Sequence, residues 1–309
     1  MVREKKLSVN EIIEKFELSI LAGDPEGKII PVSDIKRPGI ELAGFWKFFA
    51  PERVQLLGMT EVSFLKELSP ETLNKRIKKL FSYDLSCVII ARNLDVPDII
   101  IDEAEKNKIP LLRTKISTTR FLSLLTNYFE EALAPEETFH GVLVDIYGVG
   151  VLIKGKSGIG KSETAVQLVK RGHRLVADDL IIVKKIGERK LIGTAPKVSR
   201  HFLEIRGIGI INVRTLFGAG AVKDSSEINM IAKLEFWNED KMYERLGIDN
   251  IYGKIMGIEV PQVVIPVKPG RNLAMVLEIA AMNTRMKAMG YNAAQDFSNK
   301  VNDMLRTSE

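Results

Sequence analysis

Gly155, Lys156, Ser157, Gly158, Ile159, Gly160, Lys161 and Ser162 stand in the order G-x-x-x-x-G-K-S, the spacing of a loop that cradles a polyphosphate. Glycines let the chain approach phosphate oxygens closely and offer them backbone N–H groups, and a helix starting behind the loop adds the positive end of its dipole. In that arrangement Lys161 reaches the β- and γ-phosphates and the Ser162 hydroxyl ligates Mg²⁺. The apolar run 149–153 predicts the strand that feeds the loop, and residues 163–171 the helix that leaves it. The chain is therefore expected to bind ATP or a relative.

Phosphoryl transfer to a hydroxyl also needs an acid that holds the metal and a group that accepts the proton. Asp178 and Asp179 sit at the end of the apolar run 175–177 and together can supply both. Neighbours on a strand face opposite ways, so one of them can instead cap or orient backbone, and the sequence does not assign them separately. Glu204 and Arg206 lie in the apolar, Gly-punctuated run Leu203-Glu204-Ile205-Arg206-Gly207-Ile208-Gly209-Ile210. Burial there would oblige both charges to find a metal, a phosphate or each other. His140, just ahead of a predicted strand, suits phosphate contact or proton transfer, and Arg245 and Lys268-Pro269-Gly270-Arg271 offer further anion donors.

Residues 141–147 read as a strand that Gly148 separates from 149–153 by too little chain for a helical crossover, which predicts an antiparallel hairpin leading into the loop. Most doubly wound NTPases reach that strand through a parallel sheet instead. A GTPase is excluded because the D-x-x-G matches, 24–27 and 145–148, precede the loop and N-K-x-D is absent. Residues 99–103 resemble a Walker B strand but also lie upstream, and Val96-Pro97-Asp98 marks them as a helix. Eukaryotic-type kinase motifs are missing too: His173-Arg174-Leu175 is not H-R-D and Asp296-Phe297-Ser298 is not D-F-G.

Upstream, Ser8-Val9-Asn10-Glu11 has capping-box spacing, and Pro70 opens a helix. Strand-like 54–57, 87–90 and 109–112 alternate with helix-like 61–68, 96–107 and 119–133, the pattern of a small α/β domain with a largely parallel sheet. Residues 134–138 look like a linker, dividing the chain into 1–133 and 134–309. Further strands are expected near 180–183, 191–192 and 263–267, then a long helix over 272–289 stopped by Gly290 and a helical tail. Met275, Met282, Met286 and Met289 along that helix are expected in its core packing rather than on a partner surface.

At 309 residues the chain exceeds the size at which one core usually stops growing, so two domains are expected. Cys87 is the only cysteine, which excludes an intrachain disulfide and a cysteine-based zinc cluster. The N-terminus lacks a signal-peptide apolar core and no run spans a bilayer, so the expectation is a cytoplasmic protein without a membrane partner. A net charge of +5 with interspersed signs argues against a nucleic-acid partner, and Arg76-Ile77-Lys78-Lys79 reads as a solvated helix face.

Taken in order, His140 through Gly148, the loop with Lys161-Ser162-Glu163-Thr164, Arg171 through Asp179, Leu203 through Ile211-Asn212 and Pro266-Val267-Lys268-Pro269-Gly270-Arg271-Asn272 resemble the bacterial HPr kinase/phosphorylase family. Arg37-Pro38-Gly39 and Gln55-Leu56-Leu57-Gly58 extend the resemblance over essentially the whole chain; Lys268 and Ile208 depart mildly from the commoner Arg and Leu. The resemblance implies an N-terminal α/β domain and a C-terminal P-loop kinase domain like that of phosphoenolpyruvate carboxykinases. It implies phosphorylation of a regulatory serine on HPr, the small phosphocarrier of the sugar phosphotransferase system, from ATP or pyrophosphate. It also implies phosphorolysis of that phosphoserine by inorganic phosphate, giving pyrophosphate, in the service of carbon catabolite repression. Catalytic roles would fall on His140, Lys161, the Asp pair and Arg245, Mg²⁺ ligation on Ser162 and Glu204, and phosphorolysis on Pro266 through Arg271. A homohexamer regulated by fructose 1,6-bisphosphate is implied as well. A P-loop small-molecule kinase and a nucleotide-gated binding protein are the rival readings.

Overall fold

Ser8 starts the first helix, Val9–Phe16, by the device its spacing predicts: its hydroxyl accepts the Glu11 N–H while the Glu11 carboxylate accepts the Ser8 N–H. The computed structural model describes residues 6–243 and 251–306 and divides the chain into two units, one ending at Ala134 and the other starting at Pro135. In the first unit a five-stranded sheet runs in the order Ser19–Ala22, Leu111–Arg113, Val88–Ile90, Val54–Leu57, Ile35–Lys36. All neighbours are parallel except the edge strand Ser19–Ala22. Alternate residues face two cores: Leu57, Val88 and Ile90 meet the helices Met59–Glu67, Pro70–Phe81 and Asp98–Lys106, while Leu56, Ile89 and Leu112 meet Val9–Phe16 and Thr118–Ala132. Residues 99–103 are helical, as Pro97 predicts.

The second unit is built on a mixed eight-stranded sheet in the order Ser225–Glu227, Lys190–Thr194, Arg174–Ile186, Glu136–Ile146, Val149–Lys154, Met230–Phe236, Ile258–Val267, Tyr252–Ile255. Val149–Lys154, which feeds the phosphate loop, is antiparallel to Glu136–Ile146 through the predicted hairpin and parallel to Met230–Phe236 on its other side. Val142, Val144, Val151 and Ile153 pack under the loop helix Lys161–Lys170 and the long helix Leu273–Ala288. Leu143 and Leu152 fill the core on the opposite face.

Three expectations change. Glu136, Glu137 and Thr138 are not linker but the first rungs of the long strand, paired with Lys184, Val183 and Ile182. Asp178 and Asp179 do not close a strand, because Arg174–Ile186 continues well past them. Met275, Met282, Met286 and Met289 are exposed: Leu273, Ala274, Leu277, Glu278 and Ala281 take the inner stripe of the long helix, leaving the methionines on the outer one.

Candidate active site

Gly160 takes φ 97°, a conformation that glycine reaches without strain, and so turns the loop into the N-terminus of Lys161–Lys170. Thr164 Oγ1 ties the first turn to the Gly160 carbonyl at 2.6 Å. Ile159 is buried in the core beneath and anchors the loop. Lys161 Nζ lies across the loop, donating to the carbonyls of Gly155 at 3.1 Å and Lys156 at 3.2 Å.

Asp178 reaches this loop because of a bulge. Leu175 pairs with Val144 and Ala177 with Leu143, so Val176 is an extra residue in the ladder. Val176 and Ala177 consequently both face the far core, and Asp178, opposite Val142, returns to the side of the loop helix. Its Oδ1 accepts the Ser162 hydroxyl at 3.0 Å and its Oδ2 the Glu204 N–H at 3.2 Å. Burial pushes the Asp178 carboxyl above the usual carboxylate range, a push that the bonds from Glu204 and Ser162 only partly offset. Asp179 follows with φ 63°, and its exposed carboxylate lies 3.8 Å from His140 Nδ1. His140 is itself exposed and stands within the long strand, paired with Leu180, not ahead of it.

The run from Leu203 to Asn212 is a hairpin, Phe202–Ile205 against Gly209–Asn212, with Leu203 buried and Ile205 and Ile211 partly buried against the core under the loop helix. Glu204 and Arg206 are therefore exposed rather than buried, and Ile208 and Ile210 are 73% and 74% exposed. The alternation of apolar and small residues resembles a buried strand, but this two-stranded ribbon packs one face on the core through Leu203, Ile205 and Ile211, and among the described residues no layer covers the other. Arg206 Nη2 donates to Ser157 Oγ at 3.0 Å, a contact across 49 residues that no motif spacing announces.

Ser162 Oγ and Asp178 Oδ1, 3.0 Å apart, have the separation of two adjacent ligands on an octahedral ion with bonds of about 2.1 Å. These hard oxygen donors fit Mg²⁺, which takes one or two carboxylates and completes its shell with phosphate oxygens and water. The exposed Glu204 carboxylate belongs to the same hairpin that bonds Asp178.

Among the described residues, no hydrogen bond or ion pair joins Pro266 through Arg271 to the loop. Pro266 and Val267 end the strand Ile258–Val267; Lys268 Nζ sits 3.5 Å from the Trp237 ring centroid, and Arg271 Nη1 donates to the Pro266 carbonyl at 3.0 Å. Gly270 and Arg271 line a groove with Gln167, Lys170 and Arg171, beside the later turns of the loop helix. Arg245 lies outside the described residues.

Two groups escaped the sequence reading. Lys154, half-buried over the Phe139 ring just before the loop, has its ammonium pushed below the usual lysine range by burial, which Glu137 partly opposes. Asp145 holds the hairpin tip, accepting from Gly148 N–H at 2.9 Å and from Lys223 at 2.5 Å. Burial pushes its carboxyl up, but Lys223 and Gly148 more than offset that and hold it low. Lys223 lies 78 residues away in sequence, beyond any local signal.

Residues 7–129 match the family model described as HPr Serine kinase N terminus, and residues 131–301 match HPr Serine kinase C-terminal domain. An HPr kinase/phosphorylase from Halalkalibacterium halodurans is 51% identical over 98% of this chain and 98% of its own length. The HPr kinase/phosphorylase of Bacillus subtilis is 49% identical over the same shares. Among solved structures, the Hpr(Ser) kinase/phosphatase from Coxiella burnetii is 37% identical, covering 52% of this chain and 98% of its own, with a TM-score of 0.47. With both halves matched in order and relatives this similar across nearly the full length, the chain belongs to the HPr serine kinase family.

Proposed function

We propose that this chain phosphorylates a serine of HPr from ATP or pyrophosphate and removes that phosphate by phosphorolysis, as the kinase/phosphorylase names of its relatives suggest. The observation that carries the reading is the division of the Asp pair: Asp178 is buried against the P-loop serine, whereas Asp179 is exposed beside His140, open to a protein hydroxyl. Asp179 accepts the proton of the substrate serine as its oxygen attacks the terminal phosphorus and the bond to the departing ADP or phosphate breaks. Lys161 and the loop N–H groups stabilise the charge that builds on the leaving oxygens. In reverse, an oxygen of inorganic phosphate attacks the phosphoserine phosphorus, the serine O–P bond breaks, and Asp179 returns its proton to the serine. His140 orients Asp179 in both directions. When bound, Mg²⁺ would supply charge neutralisation on the phosphate oxygens, held by Ser162, Asp178 and Glu204.

We assign this chemistry to residues 134–309, with Pro266 through Arg271 serving phosphorolysis and Arg245 completing the catalytic set. The resemblance extends the proposal to a cytoplasmic homohexamer controlled by fructose 1,6-bisphosphate. Incubation with purified HPr, Mg²⁺ and ATP, followed by intact-mass measurement, tests the reading. One added phosphoryl group, lost again on addition of inorganic phosphate with release of pyrophosphate, is expected. Unmodified HPr despite ATP binding would overturn it in favour of a small-molecule kinase or a nucleotide-gated binder.

A further inference from the structure

The 202–212 hairpin meets the phosphate loop at two levels, and the proposed mechanism uses only the lower. At its base Leu203 is buried and the Glu204 N–H holds Asp178. At its turn the exposed Arg206 reaches back to Ser157 Oγ, and a Cβ built on Gly158 would lie 2.9 Å from Arg206 Nη1. Gly158, at φ 79°, thus leaves room for the guanidinium as well as taking a turn that other residues resist.

A guanidinium is always charged and offers five N–H donors in a planar fork suited to phosphate. Arg206 makes one hydrogen bond to a neutral hydroxyl and has no carboxylate partner among the described residues. Such a contact is worth little at an exposed site and is readily exchanged for a charge-assisted bond to an anion. The geometry also says which anion. Gly160, Lys161 and Ser162 sit at the helix start, where the inner phosphates of a polyphosphate are held. Ser157 and Gly158 precede them, and the hairpin that carries Arg206 also bonds Asp178 at the reacting end.

We propose that Arg206 exchanges Ser157 for the terminal phosphoryl group of the donor and stabilises it during transfer, an arginine finger supplied by the chain's own hairpin. This rests on the phosphoryl-transfer reading above. Because the charge on that group's oxygens is redistributed in the transition state, the contribution belongs to kcat rather than to donor affinity.

Arg206→Gln and Arg206→Lys test it, with thermal unfolding as the check on folding. Arg206→Gln is expected to lower kcat for HPr phosphorylation about 100-fold or more while KM for ATP moves less than about threefold. Arg206→Lys should recover part of the loss, because it keeps the charge without the fork. Titration with Mg²⁺, ADP and aluminium fluoride, a mimic of the group in transit, should weaken at least about tenfold in Arg206→Gln while ADP alone binds as before. A kcat loss below about fivefold, or equal weakening of ADP alone, would overturn the proposal and make Arg206 a residue that shapes the loop. Should the wild-type chain leave HPr unmodified, the proposed function falls, and the aluminium fluoride titration still decides for or against Arg206 because it needs no protein substrate.

Discussion

Both oxygens of Asp178 are engaged, by the Ser162 hydroxyl and the Glu204 N–H, whereas Asp179 faces outward beside His140. Asp179→Asn should therefore lower HPr phosphorylation by roughly 100-fold or more and leave Mg²⁺-dependent ATP binding within a few-fold, since proton acceptance alone is lost. Asp178→Asn should also weaken ATP binding in Mg²⁺ but not in its absence. Calorimetric titration with and without the metal separates the two, and equal behaviour of the variants would refute the division of labour. Arg271→Ala is expected to impair phosphorolysis more than kinase activity, because phosphorolysis must hold a free inorganic phosphate against a charged phosphoserine, while ATP is anchored by the loop. Equal losses in the two rates at saturating substrates would reduce Arg271 to a structural residue, in keeping with its bond to the Pro266 carbonyl. The sequence named the Asp pair but could not divide it. Strand alternation sends neighbours to opposite faces, yet which face each takes depends on the Val176 bulge and on the positive φ at Asp179, and both are properties of the folded ladder.

Elements joined by local rules were legible, and those joined by long-range pairing were not. The Ser8 capping box, the helix opened by Pro70 and the hairpin feeding the loop each depend on residues a few positions apart. By contrast, the end of the loop helix is fastened to the long helix by Glu278, more than 100 residues on. Glu278 is buried, accepts two bonds from Arg171 at 2.8 and 2.6 Å, and lies 2.8 Å from His173 Nε2. His173 in turn packs edge-on against Tyr147 at the hairpin tip, with ring centroids 4.6 Å apart. The Arg171 guanidinium, helped by His173 and opposed by burial, holds the Glu278 carboxyl below its usual range. A carboxyl with a depressed folded pKa adds stability that is present above its unfolded pKa and lost as pH falls through the folded value. Glu278→Gln should thus lower the unfolding temperature by a few degrees near neutral pH, and the gap to wild type should close as the pH drops below about 4. A gap that stayed constant from neutral to acid pH would show that the carboxylate charge does not fasten the two helices.

At the scale of the whole chain, each unit has its own sheet among the described residues: the strands of the five-stranded sheet lie between Ser19 and Arg113 and those of the mixed sheet between Glu136 and Val267. The buried clusters around Leu57 and Leu56 contain only residues of the first unit and those around Val142 and Leu143 only residues of the second. The loop, the Asp pair and the Arg206 hairpin all lie in the second. A ligand stabilises the cooperative unit that binds it by RT ln(1 + [L]/Kd), about 2.7 kcal/mol at a hundredfold excess over Kd, or roughly 5–10 °C for a unit of this size. Scanning calorimetry of the full-length chain should therefore resolve two transitions, of which Mg²⁺ with a non-hydrolysable ATP analogue raises one and leaves the other in place. Lys161→Ala should abolish that shift without moving either transition in the absence of nucleotide, because the hydrogen bonds of the Lys161 ammonium among the described residues go to loop carbonyls. A single transition, or equal shifts in both, would mean that the units unfold as one and that nucleotide energy reaches the N-terminal sheet.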